Sequence, residues 1–277
     1  MSETAKPDKN GRGAATSDVD ENIPITNTLS ENTFVLIISN ENYKWVTNVQ
    51  YANHDGIIMK EYCKKTLGIP EENIQLVQDA TYGEMRKAVT RFSQIINAYD
   101  NDCKALFYYS GHGIPDEKTA SAYLLPTDAD ATDLSVSYSL NKLYEELGQM
   151  HCQSVTVFLD ACFSGASRAN NGEMLYVAKG VAIKEQKGTP QGNTVVLSAP
   201  SPMETAGFYQ DKQHGMFTYF ILKKIQETKG DVSLADLSEY VAKEVGRESL
   251  RQNHKKQTPT TTASQKVLYN WQQWKLK

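Results

Sequence analysis

Cysteine is scarce in this 277-residue chain, and its four copies, Cys63, Cys103, Cys152 and Cys162, form no CxxC pair. That argues against a structural zinc site, whose ligands come in closely spaced pairs, and His151 beside Cys152 does not supply the spacing either. Unpaired thiols fit a reducing compartment. Long apolar runs are missing too. None approaches the roughly 18 residues of a membrane span, and the N-terminus lacks the apolar core of a signal peptide. The sequence therefore reads as cytoplasmic, with no membrane partner. No charge of one sign dominates: 29 Lys and Arg face 33 Asp and Glu, for a net charge of −4. There is no basic footprint for nucleic acid. Internal repeats at solenoid periods are absent.

Apolar strand-length runs alternating with amphipathic helical stretches are what the chain does have. Residues 1–30 are polar and poor in large apolar side chains, which predicts a disordered tail or linker. Order is expected from "TFVLIIS" (33–39), a run typical of a strand buried on both faces. Further strands are expected at 73–79, 104–110, 154–161 and 193–199, a short hairpin arm at 121–128, and a last strand in "KVLYNW" (266–271). Helical periodicity marks 55–67, 82–99, 140–150, 215–228 and 234–252. This order predicts an α/β three-layer sandwich: a mostly parallel sheet of about six strands with helices on both faces. One domain spans 31–277, with a large part over 31–165, a basic loop over 166–192 and a small part over 193–277. A loop that long inside a compact domain is usually functional or disordered.

Two strand ends carry the chemistry. "LFYYSGHG" places His112 between Gly111 and Gly113, and "VTVFLDACFSG" places Cys162 just past another strand. Ligand and catalytic sites of open parallel sheets form at the carboxyl ends of strands. If these two strands are neighbours, imidazole and thiol converge. A thiol reacts as thiolate, and a nearby imidazole can take its proton. The amides of Gly113 and Cys162 could bind a developing oxyanion, each such donor being worth about 3–4 kcal/mol. A cysteine taken alone is more often a buried packing residue, the reading favoured for Cys63, Cys103 and Cys152. Its pairing with a glycine-flanked histidine reverses that preference for Cys162.

"YYSGHG" and "DACFSG" resemble the His and Cys motifs of the caspase-like cysteine peptidases (clan CD, family C14), most nearly the metacaspases and their bacterial relatives, the orthocaspases. The likeness extends over about 33–265 through "ISNENYKWVTNVQYANHDG", "YLLPTDAD" and "QHGMFTYFIL". It implies peptide-bond hydrolysis through a thioester by a Cys162/His112 dyad, protein or peptide substrates, and no required cofactor. Metacaspases usually have His after the cysteine, where Phe163 stands here. The acid two residues before the cysteine, Asp160, matches metacaspases and implies an S1 pocket for Arg or Lys; a carboxylate there pairs with a cation and repels Asp. Glu204 and Asp55 are further S1 candidates.

An enzyme of that specificity could process its own basic loop, as a zymogen does, at Lys179 or Lys187, each before glycine, or at Arg168 or Lys184. No metal is assigned. Calcium binding, known in some metacaspases, has Asp116, Glu117, Asp128 and Asp130 as candidate ligands, fewer than the six or more oxygens calcium takes. The resemblance favours a monomer over a dimer. Two other readings compete: a catalytically silent caspase-like binding module, and a clan relative of clostripain or separase type.

Overall fold

The computed structural model describes residues 17–116, 119, 121–161, 163, 188–199, 208–254 and 257–277, with the Asn253 side chain excepted. In chain order the elements are β1 (Thr33–Ser39), α1 (Ala52–Lys65), β2 (Ile74–Gln78), α2 (Tyr82–Ala98), β3 (Lys104–Ser110), β4 (Gly113–Asp116), β5 (Ser121–Leu124), β6 (Tyr138–Ser139), α3 (Leu140–Gly148), β7 (Ser154–Asp160), β8 (Thr194–Ser198), β9 (Phe208–Tyr209), β10 (His214–Gly215), α4 (Met216–Thr228), α5 (Leu234–Asn253) and β11 (Thr260–Ala263). The main sheet has the order β11-β8-β7-β3-β1-β2. Its first five strands along the chain pair in parallel, and β11 closes the β8 edge antiparallel. This is the expected three-layer sandwich.

Strand pleat explains the layers, because successive side chains point to opposite faces. Val35, Ile37, Leu106, Tyr108 and Phe158 join one buried cluster with residues of α1, α4 and α5. Their neighbours Leu36, Ile38, Phe107, Tyr109 and Leu159 join another with residues of α2 and α3. Such strands are apolar at every position because both faces are covered. The helices start where their caps allow. Thr81 and Glu84 form a reciprocal capping box on α2, and Ser233 accepts from the Asp236 amide at the start of α5.

Two expectations need correction. The first concerns the segment 17–30, which is packed, not a disordered linker. Val19 is fully buried and its carbonyl accepts from the Tyr62 hydroxyl at 2.8 Å. Thr26 N donates to Lys65 O and Ser30 N to Gly68 O, at the C-terminal end of α1. Asp18 takes Lys212, Lys223 and Tyr219. Few apolar anchors are needed when the backbone of a strap satisfies the free carbonyls of a helix end. Gly68 (φ 70°) ends that helix, and a Cβ there would overlap the Thr28 carbonyl. The second concerns "KVLYNW". Its residues form short 3-10 turns, with Val267 buried and Tyr269 91% exposed. The edge strand is the β-branched "TTTA" instead, whose alternate residues face solvent.

Among the described residues, no helix is long and apolar enough to cross a membrane.

Candidate active site

β3 and β7 are adjacent, parallel and in register from Lys104↔Ser154 to Ser110↔Asp160. The pairing runs one step beyond the strands, where Gly111 N donates to Asp160 O at 3.3 Å. The chain therefore leaves the sheet toward His112 and toward residue 162 side by side, at the carboxyl ends of its two central strands. Cys162 lies outside the described residues. So do Glu117, Glu204, Arg168, Lys179, Lys184 and Lys187.

His112 is 3% exposed and gripped on three sides. Its backbone N–H donates to the Tyr43 hydroxyl at 2.8 Å. Its carbonyl accepts from the Tyr109 hydroxyl at 2.9 Å and from Leu125 N at 3.0 Å. Its ring lies 4.7 Å from that of Tyr43, centroid to centroid, and its Nε2 is 2.7 Å from the carbonyl of Thr47. A carbonyl only accepts, so Nε2 carries a proton and Nδ1 is the nitrogen whose protonation can change. Tyr43 and Tyr109 also hydrogen-bond each other, and burial holds the Tyr109 phenol well above its ordinary pKa, so it stays a donor. A Cβ at position 111 would sit 2.7 Å from both tyrosine hydroxyls, which is why glycine precedes the histidine. Gly113 opens β4 opposite Leu124.

The loop that bears Tyr43 and Thr47 is itself anchored. The Asp79 carboxylate accepts from the amides of Glu41 and Asn42, both at 2.9 Å, and from the side chains of Asn42 and Asn53. Burial opposes ionisation of Asp79, and these hydrogen bonds outweigh it, holding the carboxyl below its ordinary pKa. Beneath the loop, Tyr43, Val49, Ala52, Ile114, Leu125, Ala129 and Ala131 form a small core of their own.

Residues 32–269 match the caspase domain, Peptidase_C14. The chain belongs to this family of cysteine peptidases. In fold, the caspase domain is similar to caspase-1 from Spodoptera frugiperda, at 14% identity over 91% of this chain and 95% of that one, with a TM-score of 0.60. It is likewise similar to a structural-genomics target from Geobacter sulfurreducens, at 15% identity over 84% and 93% of the two chains, also with a TM-score of 0.60. No curated protein matches the sequence significantly.

In this caspase domain the two described S1 candidates are both buried at the start of α4. Asp160 accepts from the Thr218 hydroxyl at 2.6 Å and from the Thr218 amide at 3.3 Å. Carboxylates are favoured at a helix N-terminus, where free N–H groups and the helix dipole meet them. Asp55 accepts from Gly215 N and lies 2.6 Å from His214 Nδ1. Burial works against a charged His214, but Asp20 and Asp55 outweigh it and hold the imidazole protonated above its usual range. Asp55 is thus matched by an internal cation. The acids considered for calcium serve separate turns. Asp116 accepts from Thr119, Asp130 from Thr132, and Asp128 from Tyr82 N. Among the described residues they form no shared cluster.

Cys63, Cys103 and Cys152 are free and buried, as their packing role requires. Burial raises their thiols to about 12, 11 and 12 respectively, far from reactive thiolates. Sequence reasoning missed Tyr43, Thr47 and Asp79. A backbone carbonyl that orients a histidine leaves no mark on residue identity.

Proposed function

We propose that the chain is a cysteine endopeptidase of metacaspase type that cleaves after Arg or Lys. The observation that supports it most is the in-register exit of the His112 and Cys162 segments from β3 and β7, with the imidazole already oriented by Thr47. His112 Nδ1 takes the proton of the Cys162 thiol, and the sulfur attacks the scissile carbonyl carbon. The oxyanion is met by the amides of Gly113 and Cys162. Collapse breaks the C–N bond, His112 gives its proton to the leaving amine, and a thioester remains. Water, deprotonated by His112, hydrolyses it and restores the thiol. Asp160 is the acid assigned to basic P1 selection, with Glu204 and Asp55 as further candidates. Self-processing in 166–192, a monomeric state and independence from any organic cofactor belong to the same reading; calcium dependence is left to the assay.

The test is purified protein against fluorogenic peptides ending in Arg, Lys or Asp, with and without calcium, beside Cys162→Ala and His112→Ala. Turnover after Arg or Lys that disappears in both variants is expected. Turnover after Asp would overturn the specificity, and full activity in Cys162→Ala would overturn the dyad. A protein that cleaves none of the peptides and resists thiol-reactive active-site probes would be a binding module.

A further inference from the structure

Away from the dyad, three side chains from three parts of the chain converge. Asp20 comes from the N-terminal strap, His54 from α1 and His214 from β10. Asp20 Oδ1 is 2.8 Å from His214 Nε2, and Asp20 Oδ2 is 2.9 Å from His54 Nε2. The three donor atoms lie within 4.8 Å of one another. The two imidazole rings are 4.8 Å apart and inclined by 34°. We propose that Asp20, His54 and His214 form a binding site for a divalent transition metal ion of the zinc class, assembled only when the strap is docked.

Four features carry this. First, the donor set is two imidazole nitrogens and one carboxylate, the three-ligand pattern that zinc accepts in sites with an open position. Hard cations such as calcium prefer all-oxygen sets. Second, the second nitrogen of His214 is already committed: Nδ1 lies 2.6 Å from Asp55 Oδ1, and Asp55 is fixed in turn by Gly215 N. A buried carboxylate behind a histidine, aiming its other nitrogen at one point, is how protein metal sites orient their ligands. Third, exposure grades across the cluster. The side chains of His214, Asp20 and His54 are 0%, 17% and 37% exposed. Water or another small ligand can therefore reach a metal from the His54 side. Fourth, the fit is close. Tetrahedral bonds of about 2.0–2.1 Å place ligand atoms roughly 3.4 Å apart. The half-exposed His54 has to move inward by about 1.4 Å at most, within the reach of its own rotamer. Zinc would take the place of the protons that the histidines now share with Asp20.

The consequence is mechanical. A metal here ties the strap to α1 and to the segment entering α4, and it bears on His214, whose partner Asp55 sits beside the start of that helix. The site is independent of the peptidase reading.

Zinc alone is the probe, titrated into metal-free full-length Cys162→Ala protein and read by competition with a chromophoric chelator. The Cys162→Ala background removes a thiol that could compete for zinc. One equivalent is expected to bind. His54→Ala and Asp20→Asn should each weaken binding at least tenfold. Bound zinc should raise the melting temperature of the parent and leave that of His54→Ala unchanged. With cobalt(II), His54→Cys should add a sulfur charge-transfer band that the parent lacks. No stoichiometric binding in the parent, or unchanged affinity in His54→Ala, would overturn the proposal. Because His54 is half-exposed, its replacement keeps the test valid even if Asp20→Asn loosens the strap.

Discussion

Replacing Tyr43 by Phe deletes one oxygen and keeps the ring that packs 4.7 Å from the His112 imidazole. That oxygen accepts the His112 backbone N–H at 2.8 Å, and His112 is 3% exposed. Leaving such a donor buried without its partner costs about 1–3 kcal/mol. For a domain of this size, 1 kcal/mol moves the melting temperature by about 2–4 °C, so a drop of about 4–8 °C is expected from the middle of that range. The same hydroxyl bonds Tyr109, which holds the His112 carbonyl. The variant should therefore loosen the histidine on both sides of its Cα. Misplacing a catalytic group by about 1 Å can cost a hundredfold in rate, so kcat/KM should fall ten- to a hundredfold, about 1.4–2.7 kcal/mol. The assays are thermal unfolding and peptide cleavage, with Tyr269→Phe as control because Tyr269 is 91% exposed. A Tyr43→Phe protein with the parent's melting temperature and turnover would refute the idea that the two tyrosines hold the histidine in place.

Thr218→Val removes the hydroxyl that donates to Asp160 at 2.6 Å and meets Tyr108 at 2.7 Å. A bond to a charged group is worth about 1.5–3 kcal/mol, so the urea midpoint should fall accordingly and KM for Arg or Lys peptides should rise. Gly68→Ala forces a left-handed alanine into the Thr28 carbonyl. It should destabilise by at least about 1 kcal/mol and speed protease cutting within 17–30. Asp79 has a folded pKa below its unfolded value of about 4. Its contribution is present above that unfolded value and lost as pH falls through the folded one. Melting temperature should thus fall less steeply with acid in Asp79→Asn than in the parent.

Much of this was legible because buried parallel strands announce themselves. "TFVLIIS" and "KALFYYS" were bounded to the residue, since their interiors form unbroken runs of apolar and aromatic side chains. Helix ends drifted by up to three residues: α1 begins at Ala52, before its periodicity becomes apparent. The strap escaped because backbone hydrogen bonds, the buried Val19 and the Asp18 contacts with Lys212, Lys223 and Tyr219 hold it, and none of these shows in composition. "KVLYNW" misled through its apolar content, whereas the threonines that took the edge carry no large apolar side chain. His112 could be named from its glycines. The partners that orient it could not, because Thr47 contributes a carbonyl any residue possesses.

The two faces of the sheet draw on the chain very differently. Among the described residues, the cluster beneath α2 and α3 uses residues between Phe34 and Phe163, with Val196 the one later member. The opposite cluster runs from Val19 to Leu276. On a ribosome, the first layer draws almost entirely on chain made before β8, whereas the second also needs α4 and α5, which are made after it. Until α4 and α5 arrive, α1 is the only helix of this cluster available to cover the row of Val35, Ile37, Leu106, Tyr108 and Phe158. Transiently exposed surface of that kind is what draws chaperones and aggregation. A nascent chain of this protein is therefore most vulnerable on one predictable side, and premature termination after α4 leaves that side without α5.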